Sequence, residues 1–254
     1  MEKRIQISCL GKFGRFGNQL FQYAFAKSYA EKYNCILEIP KGWQGRKIFK
    51  NINDPPIGNP LPKTKLDIIP WGRKNIDLFG YFCAPDFVQF LTRKKLKEWF
   101  KIKDKWTDLV SKPKHPYLAA HLRRGDYTTQ FSFLYCTVSK RSYLDTISRF
   151  KLDKYNVVWV SEGNKKQHPL CNKENISFLP DFITLLNADV ILRANSSFSF
   201  WAAVLSNGEI YSPVVKNKTG KHDVEFVRGN YPAMLMDPKG GTPATLGDLF
   251  IEEE

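Results

Sequence analysis

Apolar residues recur along this chain with two periods, and those periods predict most of its elements. Residues 4–10 put Ile5, Ile7 and Cys9 on one face, the period of two expected of a strand. Glycines interrupt the pattern at Gly11, Gly14 and Gly17, after which residues 20–32 carry Leu20, Tyr23, Ala24 and Ala30 at helical spacing. Residues 35–39 and 76–82 predict two further strands. Between them, residues 40–76 are rich in Pro, Gly, Asn and Lys, which predicts a long irregular connection of the kind that carries function. Residues 87–110 read as one helical segment, with seven Lys or Arg from Arg93 to Lys105 and with Leu96, Trp99, Phe100 and Trp106 set among them. That pattern fits a basic, Trp-bearing helix lying on an anionic membrane. It fits better an apolar stripe facing a core, with a solvated basic back.

The prolines in Ser111-Lys112-Pro113-Lys114-His115-Pro116 block helix continuation and mark a boundary between domains at residues 1–114 and 115–254. Beyond it the rhythm is strand and helix in alternation. Residues 117–122 are a strand, and 139–150 a helix with Tyr143, Leu144 and Ile147 on one side. Residues 156–160 are almost wholly apolar, as in a strand buried on both faces. Strands are expected at 176–179, 189–192 and 209–211, and helices over 180–188 and through Leu205. Residues 212–254 read as a poorly structured tail ending in Glu252-Glu253-Glu254. The alternation predicts an α/β fold with a doubly wound parallel sheet. At the N-terminus, strand, glycine loop and helix open a Rossmann-like unit whose helix end can hold an anion.

Composition narrows the classes. Of 254 residues 43% are hydrophobic and 25% charged, as in a globular protein, and no apolar run approaches a membrane span. The first ten residues are too short and polar for a signal peptide. Five scattered cysteines without CxxC spacing predict reduced thiols, a cytoplasmic protein and no zinc site. The net charge of +14 is lopsided: residues 1–116 carry 23 Lys+Arg against 10 Asp+Glu, and the remainder 16 against 15. Such a surface favours an anionic partner: an acidic glycan, a nucleic acid or a membrane leaflet touched peripherally.

Candidate chemistry gathers at three strand tips of the second half. YLAAHLRRGDY (117–127) delivers His121, Arg123, Arg124 and Asp126 to a loop. Paired guanidiniums there can grip a diphosphate through their planar forks, or Asp126 can simply form an ion pair with one of them. Ser161-Glu162-Gly163-Asn164 ends the next strand. Asn195-Ser196-Ser197-Phe198 precedes a helix and can serve as a phosphate cradle, as a helix cap, or as both. There is no Walker loop, no HExxH, no GxSxG and no Asp-x-Asp pair suited to a metal on a diphosphate. Neither a metal nor a cofactor is expected, and Arg123 with Arg124 would supply the charge that a metal ion otherwise brings.

Three blocks, GRFGNQLFQYA (14–24), HLRRGDY (121–127) and ANSSFSFWAA (194–203), resemble the signature blocks of the α-1,2-fucosyltransferases. They are similar, more distantly, to those of the α-1,6- and protein O-fucosyltransferases. The resemblance implies two facing Rossmann-like domains of the glycosyltransferase B type, the second binding a nucleotide sugar, usually GDP-fucose, and the first serving the acceptor. It implies an inverting, metal-independent transfer. By the same likeness Arg123 would hold the β-phosphate, with His121 and Arg124 in support. Ser196, Ser197 and Phe198 would contact phosphate and nucleoside, and Asn18, with Gly17 beside it, would reach in from the first domain. The family usually carries Ser-Asp-Asp where this chain has Ser161-Glu162-Gly163, which leaves the donor open: another nucleotide sugar such as UDP-xylose is the alternative.

The expected transition state has oxocarbenium character. An acceptor hydroxyl of a glycan would attack from the face opposite the diphosphate. Asp126 is the candidate base, or else it only orients an arginine. A non-catalytic binder of nucleic acid or anionic membrane is the distant alternative. It has the basic first half in its favour and lacks any nucleic-acid-binding motif.

Overall fold

Two sheets, one parallel and one parallel but for an edge strand, organise the described residues, one in each of two units that divide between Asp104 and Lys105. A computed structural model describes residues 2–83, 87, 91–107, 116–161, 168–215 and 218–230. The predicted boundary at 111–115 lies outside the described residues.

The first unit starts with β1 (Arg4–Gln6), a turn-rich glycine loop, and α1 (Phe16–Lys32). Then come β2 (Ile36–Glu38), the short α2 (Gly45–Ile48), β3 (Ile76–Asp77) and α3 (Arg93–Trp99). The strands pair in parallel in the order β2-β1-β3. β1 is shorter than the alternation in residues 4–10 suggests, because Leu10 and Lys12 turn back onto the carbonyls of Ile7 and Cys9. The core is aromatic: Phe25 stacks on Phe82 at 4.4 Å and Tyr23 on Trp43 at 5.1 Å. Residues 87–110 do not form one helix. The described part holds α3 and, across the division, α4 (Asp104–Thr107), with Leu96, Trp99, Phe100 and Trp106 all buried. The apolar stripe is core, and its lysines are the solvated back.

The second unit is built on β4 (Tyr117–Leu122), β5 (Cys136–Val138), α5 (Lys140–Arg149), β6 (Asn156–Ser161), α6 (Pro169–Lys173) and α7 (Leu179–Leu186). It continues through β7 (Val190–Leu192), α8 (Ser197–Leu205), β8 (Glu209–Pro213), β9 (Gly220–His222) and β10 (Phe226–Arg228). Its sheet runs β10-β8-β7-β4-β6, parallel except for the antiparallel β10, while β5 pairs with β9 apart from it.

Three expectations need correcting. The strand at 156–160 is not buried on both faces: β6 is an edge, and Val157 is exposed. Residues 176–178 form a turn instead of a strand, because Ile176 N–H bonds back to Cys171 and Pro180 opens α7. The supposed tail contributes β9 and β10, short strands whose Lys, His and Arg hid them from a hydrophobicity pattern.

The winding of the sheet positions everything that follows. From β4 the chain moves to β6 on one side, then crosses back to β7 on the other. The carboxyl ends of β4 and β7 therefore flank a topological switch point, the crevice where open α/β sheets bind ligands. β7 enters at a tight place. A Cβ on Gly208 would stand 2.2 Å from the carbonyl oxygen of Ala188 and 2.9 Å from that of Asp189. Gly208→Ala is expected to cost about 2 kcal/mol or more, read as a lower denaturant midpoint with unchanged slope; an unaltered midpoint would contradict this packing.

Candidate active site

Hydrogen bonds and ring contacts join the two tips at the switch point. β4 ends at His121 and Leu122, and Arg123 follows, 8% exposed. One of its terminal nitrogens donates to the Asp126 carboxylate, and its guanidinium lies 4.7 Å from the centre of the Tyr127 ring. Gly125, at φ +54°, allows the reversal that brings residues 126 and 127 back beneath the arginine. The Tyr127 ring stacks on Tyr135 at 4.5 Å, and its hydroxyl donates to the Asn195 carbonyl at 3.2 Å. Arg123 is thus held from two sides, and the residue beneath it reaches the loop after β7.

That loop is itself closely bonded. Ser196 caps α8 by accepting from Phe198 N–H at 3.3 Å. Ser199 Oγ bonds to both the N–H and the carbonyl of Ala194. The first turn of α8 has no acidic side chain, so its positive end is uncompensated by charge from the helix itself. The Phe198 ring lies 5.6 Å from the His121 imidazole. Asn195 is 2% exposed, and its side-chain oxygen has no hydrogen-bond partner among the described residues. A buried acceptor left in that state costs about 1–3 kcal/mol until something donates to it.

Arg124 turns elsewhere: it donates to the carbonyls of Val138 and Arg123, at 2.9 and 3.1 Å, and fastens the loop to β5. Ser161 pairs with Leu122 at the end of β6, one strand from Arg123. Glu162 lies outside the described residues. Gly17 and Asn18 belong to the first turn of α1 in the first unit. There Gly14, at φ +64°, leaves the room that the Asn18 side chain fills: a Cβ would stand 2.3 Å from Asn18 Nδ2. Gln19 and Gln22 donate to the carbonyls of Gly14 and Phe13. The glycine loop is therefore tied down by the helix it precedes.

No protein-family model and no curated protein matches the chain. Solved structures do. NodZ α-1,6-fucosyltransferase soaked with GDP-fucose has a TM-score of 0.57 at 13% identity, covering 90% of this chain and 100% of that one. The same enzyme co-crystallised with GDP gives 0.55 at 13%, covering 91% and 100%. Selenomethionine fucosyltransferase NodZ from Bradyrhizobium gives 0.56 at 12%, covering 90% and 99%. The fold is of the glycosyltransferase B type. At these identities the likeness is one of fold.

Within this glycosyltransferase fold, two residues that the sequence left without a role shape the site. Tyr143, buried on α5, donates to the carbonyls of His121 at 2.7 Å and Arg193 at 3.3 Å, one at each side of the switch point. Burial pushes its hydroxyl pKa up, so it stays a donor throughout the ordinary pH range. Arg193, fully buried after β7, donates to Ser212 Oγ at 3.0 Å and to Asn230 Oδ1 and sits over the Phe200 ring. Burial pulls its pKa down to about 9, so it still carries its charge near neutral pH. The apolar side of α5 pointed to Tyr143 as core, but nothing in the sequence pairs it with two carbonyls. Tyr143→Phe keeps the ring and removes the donor. It is expected to lower stability by about 1–3 kcal/mol, measured by urea unfolding; an unchanged stability would show that neither bond matters.

Proposed function

We propose that this protein is a glycosyltransferase that moves L-fucose from GDP-fucose to a hydroxyl of a glycan, with inversion and without a metal. The observation that carries the reading is the convergence of Arg123, the α8 amino end and the buried Asn195 oxygen on one switch point. A nucleoside diphosphate complements that set. Arg123 would neutralise the β-phosphate, the first-turn N–H groups of α8 with the Ser196 and Ser197 hydroxyls would donate to further phosphate oxygens, and Asn195 would take a hydrogen bond from the nucleoside. Phe198 and His121 would line the nucleoside side, with Ser161 at the end of the neighbouring β6. Support also comes from the fold shared with NodZ, solved with GDP-fucose and with GDP.

In the reaction, the acceptor oxygen forms a bond to the sugar's anomeric carbon while the bond from that carbon to the β-phosphate oxygen breaks. The electron pair leaves with the diphosphate, where Arg123 stabilises it without reorganising. The acceptor proton passes to a base or to water. Asp126 is paired with Arg123, which favours a positioning role for it. Arg124 supports the loop from behind through Val138.

Arg123→Ala is expected to lower kcat/KM for transfer at least about 100-fold, since each charge-assisted hydrogen bond contributes about 1.5–3 kcal/mol. Wild-type turnover in that variant would overturn the proposal. Asp126→Asn should reduce activity yet keep the acidic limb of the pH–rate profile; loss of that limb would make Asp126 the base instead. GDP at 100 times its Kd should raise the melting temperature by about 5 °C or more. A shift with UDP and none with GDP would move the donor to the UDP-sugar alternative.

A further inference from the structure

The basic helix region buries its tryptophans, yet the first unit does expose large apolar side chains, three of them close together in the chain. Leu66, Ile68 and Trp71 are 53%, 54% and 54% exposed within six residues of chain. They sit in KTKLDIIPWGRK (63–74), where Lys63 and Lys65 precede them and Arg73 and Lys74 follow. The one acid in that stretch, Asp67, faces inward: its carboxylate accepts from the N–H groups of Tyr81 and Phe82 at 2.7 and 2.8 Å.

The segment is held firmly along the outer edge of β3. Thr64 and Asp67 donate backbone N–H groups to the carbonyls of Asp77 and Phe79. The Tyr29 hydroxyl bonds to the carbonyls of Pro70 and Arg73, at 2.5 and 2.9 Å. Trp71 lies toward the amino end of the sheet, where α1 ends, and Lys32 stands 4.9 Å from its ring. The glycine loop follows the opposite, carboxyl end of β1. Lys3 and Lys74 crowd one another at the amino end and depress the Lys74 pKa. An anion nearby would relieve that repulsion.

We propose that residues 63–74 form a docking surface for an anionic membrane leaflet, with Trp71, Ile68 and Leu66 entering the headgroup and upper acyl region and the flanking Lys63, Lys65, Arg73 and Lys74 meeting lipid phosphates. Three features support a lipid surface. Aliphatic Leu and Ile gain from hydrocarbon and nothing from phosphate, which argues against a nucleic acid. Tryptophan prefers the membrane–water interface. Cations precede and follow the apolar residues in the chain, matching a negative surface. Because the segment is bonded to the sheet, little conformational freedom is lost on docking. The surface belongs to the first unit, and Arg123 and the amino end of α8 to the second.

The test is co-sedimentation of the full chain with phosphatidylglycerol–phosphatidylcholine vesicles and with phosphatidylcholine vesicles, at about 0.1 M salt. Binding is expected to the anionic vesicles only, and to weaken as salt rises. The double variant I68S/W71S should bind at least tenfold more weakly. Replacing Lys63, Lys65 and Arg73 by Gln should cost about fivefold per charge. Both variants should keep the circular dichroism spectrum and melting temperature of the parent, which separates lost docking from lost folding. Absence of wild-type binding to anionic vesicles, or undiminished binding by I68S/W71S, would overturn the proposal. So would a wild-type dimer that I68S/W71S dissociates, or tighter binding of a single-stranded oligonucleotide than of vesicles through the same residues.

Discussion

One tyrosine joins the two halves of the site. Tyr127 carries the Arg123 guanidinium on its face, is backed by the Tyr135 ring, and donates its hydroxyl to the Asn195 carbonyl. That link adds to the Phe198–His121 contact and to the pairing of β4 with β7, and it is the one that carries the arginine. Through it, the loop that carries a buried cation is bonded to the loop that leads into the amino end of α8. Preorganisation of this kind is how a site stabilises charge on a leaving group without rearranging as the bond breaks.

The arrangement carries a cost that the fold bears elsewhere. Arg123 and Arg193 are both buried, and a buried guanidinium loses hydration that an ion pair or hydrogen bonds only partly return. Arg193 is held by Ser212 and Asn230, behind the site, and Arg123 by Asp126 within it. Asn195 adds a buried acceptor that no described group satisfies. An anionic, hydrogen-bond-donating ligand answers both conditions, and a nucleoside diphosphate has both properties. Tyr143 ties the carbonyls of His121 and Arg193 together from below, so the spacing of β4 and β7 at their tips is set by a neutral donor buried in the core.

The fold was legible in the sequence wherever a segment was long or strongly periodic. α1, α5 and α8 lie close to where residues 20–32, 139–150 and the run through Leu205 predict them. β4, β7 and β8 follow their apolar runs. Short polar strands were not legible. β9 and β10 are three residues each and gain their stability from pairing with β5 and β8, information that lies far along the chain. β6 looked like a central strand because Val157, Val158, Trp159 and Val160 are all apolar, yet only its place in the strand order decides that it is an edge. At the site, the residue types and their loops could be read: an arginine pair, an acid three positions on, and a Ser-Ser cap. Which arginine lies over Tyr127 and which turns to β5 could not. Arg123 and Arg124 are equal in sequence, and the difference arises from a glycine at positive φ and a tyrosine two positions later. The exposed apolar cluster at 66–71 was equally hidden, since composition alone does not tell an exposed isoleucine from a core one.

A crystal structure of the protein with GDP tests the central claim most directly. The account predicts the diphosphate at the carboxyl ends of β4 and β7, with a β-phosphate oxygen within hydrogen-bond reach of the Arg123 guanidinium and another at the first-turn N–H groups of α8. A nucleotide bound away from that switch point, or one that leaves Arg123 on Asp126 alone with no phosphate contact, would contradict it.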